Sequence, residues 1–156
     1  MEYLHENNIY HFHLSSRNVL IQDDFTPRIC DYGFHYFKEI ASIFLKYKNK
    51  NGYTCPELLK DNRNISNITG TDENFRKCDV YSFGMLLWEL YTCTIPFDVK
   101  LTTVYDFVVK DNYRPEITKD FNHDIANLIR LCWDSDTKNR PEFREIIQII
   151  NKINIV

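Results

Sequence analysis

Residues 11–18, HFHLSSRN, hold side chains that could move a proton. A neutral imidazole at His13 can accept one, but it brings no negative charge with which to orient a hydroxyl. Asn18 closes the run with an amide oxygen, and Asp31, in Asp31-Tyr32-Gly33, adds a carboxylate. Further along stand Glu57, Asp79 and Arg140. Asp79 precedes an apolar run and reads as the N-cap of a helix; Glu57 and Arg140, taken alone, are two surface charges or a pair. The five cysteines, Cys30, Cys55, Cys78, Cys93 and Cys132, are scattered without CxxC spacing. They suggest neither a zinc site nor a disulfide framework, and read as buried free thiols in a reducing compartment.

These groups need a scaffold, and 156 residues are enough for one domain. An apolar fraction of 44% with 15% aromatics implies a real core, and a net charge of −3 suggests neither a nucleic-acid groove nor an anionic-membrane surface. The longest apolar stretch, Phe83 to Leu90, is broken by Glu89, so no membrane span is expected, and MEYLHENN lacks the pattern of a signal peptide. Asn64-Ile65-Ser66 and Asn67-Ile68-Thr69 match glycosylation acceptors but read as accidental without a secretory route. Abundant Ile and Asn, with Ala only at 41 and 126, point to an AT-rich genome such as a parasite's or a large DNA virus's.

The elements are mainly helical. Residues 1–6 read as the end of a helix; Val19-Leu20-Ile21 and Arg28-Ile29-Cys30 read as two short strands joined at Asp23-Asp24. Residues 31–54 read as a long loop with one helical turn around Tyr36 to Phe44, and the polar residues 60–77 as a surface loop. Val80 to Leu90 is apolar on nearly every side, which predicts a central helix. Three more helices are predicted: Thr102 to Val109; one capped by Asp124 and carrying Ile125, Leu128, Ile129 and Cys132; and one starting at Pro141 with a stripe of Phe143, Ile146, Ile147, Ile150 and Ile153.

The order of these pieces resembles the C-terminal lobe of a protein kinase of the tyrosine-kinase-like group. HFHLSSRN falls on the H-R-D-L-x-x-x-N catalytic-loop pattern, Asp31-Tyr32-Gly33 on D-F-G, Cys55-Pro56-Glu57 on A-P-E, and DVYSFGMLLWEL (79–90) on the family's central helix; CW at 132–133 and RPEF at 140–143 complete it. The resemblance implies a mainly α, kinase-like C-terminal lobe over 1–156 with a small β hairpin. Its parts are a catalytic-loop remnant (11–18), an activation segment (31–57), a polar insertion (60–77) and a helical core (79–153). It further implies that Glu57 pairs with Arg140, and that Asp79 accepts hydrogen bonds from the catalytic-loop backbone.

Two departures follow from the same resemblance. His13 replaces the proton-accepting aspartate, and Phe12 replaces the arginine that pins a phosphorylated activation segment. Asn18 and Asp31 survive as metal-ligand positions and are expected to keep structural hydrogen bonds, with no cofactor and no metal. Nothing before residue 1 resembles the glycine-rich loop, the strand lysine or its glutamate partner, and glycines at 33, 52, 70 and 84 leave no G-x-G-x-x-G, so an N-terminal lobe is expected to be absent.

The expectation is therefore a catalytically inactive pseudokinase fragment and no enzyme. The lost aspartate followed by Ser-Ser resembles the mixed lineage kinase domain-like pseudokinases, whose shortened viral homologues sequester a receptor-interacting protein kinase and block necroptosis. That likeness implies such a host kinase as partner in a hetero-oligomer, the cytoplasm as compartment, and no nucleic acid or membrane. Tyr36, Tyr47, Tyr53 and Thr54 of the activation segment, with residues 104–108, are its expected contact or phosphorylation surfaces. The alternatives are a fragment of a competent kinase and a decayed kinase remnant.

Overall fold

The computed structural model describes residues 1–32, 52–60, 72–97 and 104–153. Its architecture is mainly α with a two-stranded antiparallel sheet. α1 (Glu2–Glu6) leads into the loop of interest, which ends in a 3-10 turn at Ser16–Asn18 and runs directly into β1 (Val19–Ile21). β2 (Pro27–Ile29) returns in register, with Val19 opposite Ile29 and Leu20 opposite Arg28. The second strand begins one residue earlier than its sequence suggests.

α2 (Pro56–Lys60) precedes the central helix α3 (Asp72–Thr92). α3 extends well before Val80, so 72–77 of the polar insertion are helix and not surface loop; 61–71 lie outside the described residues. The explanation is that Lys77, Cys78 and Asp79 are buried, each supplied with partners that the hydrophobic pattern alone does not reveal. Val80, Tyr81 and Met85 are fully buried on different sides of α3, which therefore threads the core instead of lying on it.

α4 (His123–Cys132) packs across α3. Gly84 sets that approach, because a Cβ there would stand 2.7 Å from the Cys132 Cβ. Asn122, and not Asp124, caps α4: its side chain accepts from the Asp124 and Ile125 N–H groups, leaving Asp124 in the first turn. Between α3 and α4 the chain forms a π-helical turn, Asp106–Lys110, with Val104 and Val108 turned into the core.

α5 (Phe143–Ile150) starts after Pro141, with Glu142 and Glu145 closing a reciprocal capping box. Its buried face is narrower than the expected stripe: Phe143 and Ile146 are buried, whereas Ile147 is 41% exposed. One core cluster gathers Tyr10, Phe12, Tyr53, Tyr81, Met85 and Trp133; a second, smaller one joins Val80, Leu128, Cys132, Phe143 and Ile146. Among the described residues no helix is long and apolar enough to cross a membrane.

The hairpin presents apolar side chains, with Leu20, Ile21 and Phe25 all more than half exposed, whereas α3 is covered along most of 80–90.

Candidate functional site

The loop at 11–18 is held by its backbone. Asp79, wholly buried in α3, accepts the His11 N–H at 2.8 Å and the Phe12 N–H at 2.6 Å, and lies 2.9 Å from His5 Nε2. The carboxylate sits inside the helix instead of capping it, because three donors from α1 and the loop converge on it there. Asn18 fixes the other end: its Nδ2 donates to the His13 carbonyl at 2.9 Å, while its own carbonyl accepts the Cys30 N–H at 3.0 Å. The loop is thus tied to α3 at one end and to the strand entering Asp31 at the other.

Phe12 takes a left-handed backbone, φ 63°, as does Asp31 at φ 62°. Such a conformation is strained for a bulky residue and persists only where the surroundings impose it. Here the Asp79 carboxylate holds the Phe12 N–H, and the ring, 4% exposed, packs against Tyr10 and edge-on to Phe75 with centroids 5.9 and 5.3 Å away. An aromatic cluster fills the place of a phosphate-receiving guanidinium.

The His13 Nδ1 lies 2.7 Å from the His11 carbonyl oxygen, and its ring meets the His11 ring edge-on at 4.5 Å. A carbonyl can only accept, so neutral His13 carries its proton on Nδ1 and its lone pair on Nε2. Burial, reinforced by the His11 ring, lowers the His13 pKa to about 4, so the imidazole is neutral at pH 7. Burial also lowers His11 from its ordinary value, with the nearby Asp79 charge opposing.

With Asn18 Nδ2 committed to His13, the Asn18 Oδ1 and, further along the chain, the Asp31 carboxylate are hard oxygen donors at and beyond the end of the loop. Across it stands Glu89 of α3, which the sequence reading passed over as a mere break in an apolar run. Its Oε2 accepts the Tyr53 hydroxyl at 2.5 Å and its Oε1 accepts the Ser16 hydroxyl at 2.9 Å. Tyr53 and Thr54 are 6% and 4% exposed, which corrects their assignment as surfaces for a partner or for modification. Tyr53 instead joins the segment before Cys55 to α3 and the loop, and burial with the Glu89 contact raises its pKa. Val104 and Val108 are likewise core residues and offer no docking face. Tyr36 and Tyr47 lie outside the described residues.

Glu57 and Arg140 meet as a fork: Nη2 donates to Oε1 at 2.9 Å and Nη1 to Oε2 at 3.1 Å. Arg140, 1% exposed, also donates to the Asp134 and Lys77 carbonyls and lies over the Tyr81 ring, so its buried charge is fully supplied. Lys77 returns the favour, donating to the Arg140 carbonyl at 2.6 Å and pairing with Glu142 at 2.7 Å. Lys77 is a second functional omission of the sequence reading; its position inside a polar stretch masked its burial.

With this geometry in view, the comparisons are direct. Residues 1–150 match the profile of the family described as protein tyrosine and serine/threonine kinase. The chain belongs to that family. A probable LIM domain-containing serine/threonine-protein kinase of Dictyostelium discoideum is 34% identical over 99% of the chain, which covers 22% of that relative. A dual specificity protein kinase of the same organism is 32% identical over 94% of the chain and 20% of its own length. A serine/threonine/tyrosine-protein kinase of Arabidopsis thaliana is 30% identical over 97% of the chain and 37% of its own length. The chain thus spans between 15% and 37% of the lengths of the first relatives it matches.

These relatives correct the expectation that the chain is no enzyme: proteins named as serine/threonine and dual-specificity kinases align with nearly all of it. That expectation had rested on His13, on Phe12 and on the missing glycine-rich loop and strand lysine.

Proposed function

We propose that this chain is the acceptor-side lobe of a protein kinase catalytic domain, which positions a protein hydroxyl for phosphoryl transfer. The observation that carries the reading is His13: a neutral imidazole with its tautomer set by the His11 carbonyl, on a loop anchored to the central helix through Asp79. With a pKa of about 4, His13 has nearly the proton affinity of an ordinary aspartate, about 3.9. It therefore replaces the aspartate's basicity without its charge. In this role Nε2, which is buried here, would have to be uncovered before it accepts the hydroxyl proton as the oxygen attacks phosphorus.

Asn18 Oδ1 and the Asp31 carboxylate are the groups that would hold magnesium; bound there with a nucleotide, the ion would neutralise charge spread over the phosphates. Their donor set fits, since both are hard oxygens and the Asn18 nitrogen is already engaged elsewhere. The chain's own contribution is positional: Glu89 holds Ser16 and Tyr53 together, which fixes the acceptor side of the loop.

The narrower likeness to viral necroptosis-blocking pseudokinases, with a receptor-interacting kinase as partner, is not carried by this geometry. The relatives named above are kinases of a slime mould and a plant, and of the surfaces assigned to that partner Tyr53, Thr54, Val104 and Val108 are buried while 105–107 are half-buried.

The test is transfer of phosphate from ATP to a mixed Ser, Thr and Tyr peptide pool by the native gene product that carries this chain. Activity that falls by ~10²–10⁴-fold in His13→Ala and is kept in His13→Asp supports the reading. Equal rates in the wild type and His13→Ala would remove His13 from the reaction, and no transfer by any of the three proteins would defeat the proposal.

A further inference from the structure

Away from the loop, one other set of reactive side chains converges. Cys55, Glu57 and Cys78 bring one ligand atom each to within 4.8 Å of one another. They come from separate parts of the chain: Cys55 immediately before α2, Glu57 in its first turn, and Cys78 in α3. The thiols are 0% and 3% exposed, whereas the Glu57 side chain is 34% exposed and forms the wet edge of the cluster. Phosphoryl transfer as described above uses neither sulfur.

We propose that Cys55 Sγ, Cys78 Sγ and a Glu57 carboxylate oxygen form a binding site for a thiophilic divalent cation, zinc above all. Zinc takes tetrahedral sites of sulfur, nitrogen and oxygen donors; three come from the protein and water can enter as the fourth from the Glu57 side. Two sulfurs in the set disfavour magnesium or calcium, which select oxygen.

On ligation each thiol loses its proton to solvent, giving two thiolates and one carboxylate, a charge of −3. The cation supplies +2 and Arg140, forked onto Glu57, supplies +1, so the buried cluster closes neutral. Arg140 uses one lone pair on each Glu57 oxygen, and each carboxylate oxygen has another to give. The guanidinium thereby orients a ligand as well as balancing charge, in the way outer partners of metal sites do. Occupation would clip the stretch before α2 onto the central helix.

The experiment titrates the full chain, reduced and stripped with chelator, with cobalt(II) and cadmium(II), and follows thiolate-to-metal charge-transfer absorption and the melting temperature. Zinc content is read by native mass spectrometry. One ion per chain, a charge-transfer band and a raised melting temperature are expected. Cys78→Ser should abolish the band and weaken zinc by more than the ~10–100-fold that loss of an outer partner costs. Cys93→Ser and Cys30→Ser should bind as the wild type does. Far-UV circular dichroism establishes that each variant is folded, and Glu57→Gln, which retains a hydrogen bond to Arg140, provides a second, milder loss of affinity. No band in the reduced wild type, or an equal band in Cys78→Ser, would overturn the site. So would a Cys55–Cys78 disulfide formed in air by a chain that takes up no metal when reduced.

Discussion

Two regions of the molecule treat their charged groups in opposite ways. Around the start of α3, Lys77, Asp79, Arg140 and Glu57 form a frame in which every charge is met by partners, and all but Lys77 stand where the kinase pattern calls for them. In the loop at 11–18, the pattern's arginine and aspartate are replaced by Phe12 and His13. The frame nevertheless holds the loop, because Asp79 accepts from the backbone N–H groups of residues 11 and 12 and from neither side chain. A loop anchored by its main chain keeps its path when its side chains change. The difference teaches that the frame holds the loop's path whatever side chains the loop presents, and variants can separate the two.

Breaking the frame should cost most. Arg140→Met leaves Glu57 without its fork and the Lys77 and Asp134 carbonyls without a donor, and should destabilise by ~3–5 kcal/mol in urea unfolding. A loss under ~1 kcal/mol would mean that the fork is no better than an exposed pair.

Phe12 tests the border between the regions, since its backbone belongs to the frame and its ring to the loop. Phe12→Ala should cost ~3–5 kcal/mol by opening the aromatic cluster with Tyr10 and Phe75. Phe12→Arg, which restores the family residue, should be at least as damaging because that pocket offers a buried ring environment to a charge. Recovery of stability in Phe12→Arg would place the ring outside the core.

Gly84→Ala is a smaller perturbation of the frame, about 1–3 kcal/mol, because the new methyl collides with Cys132 Cβ unless α4 shifts. Comparison of melting temperatures checks it.

The smallest effect is a pH dependence contributed by the loop. His13, and His11 in the same direction, have folded pKa values below the ordinary 6.5. The unfolded chain then binds more protons than the folded one between about 6.5 and about 4. Stability from this source is present above 6.5, is lost as pH falls through that window, and levels out below about 4. Denaturant midpoints in His13→Asn should show a shallower fall over the window than the wild type.

Legibility in the sequence divides along the same line. The central helix, the hairpin and the later helices were readable because apolar spacing reports burial, and quoted motifs placed Glu57, Asp79 and Arg140 in a recognisable lobe. What the spacing could not report was buried polarity. Lys77 and Cys78 sit in a hydrophilic stretch, so α3 seemed to start late; Tyr53 and Thr54 seemed exposed because hydroxyl-bearing loop residues usually are. Glu89 interrupts an apolar run and gave no sign that Tyr53 and Ser16 meet on it. The letter at position 13 carries only a histidine's ordinary pKa, whereas burial and the neighbouring His11 lower it to about 4.

The central claim is that His13 retains the proton affinity of the residue it replaces. The most direct measurement is the pH dependence of kcat/KM for phosphate transfer by the native gene product, in the wild type and in His13→Asp. The account predicts that the acid limb of the wild type falls near pH 4 and almost overlays that of His13→Asp. An acid limb at an ordinary histidine's value near 6.5, or a rate unaffected by either substitution, would contradict it.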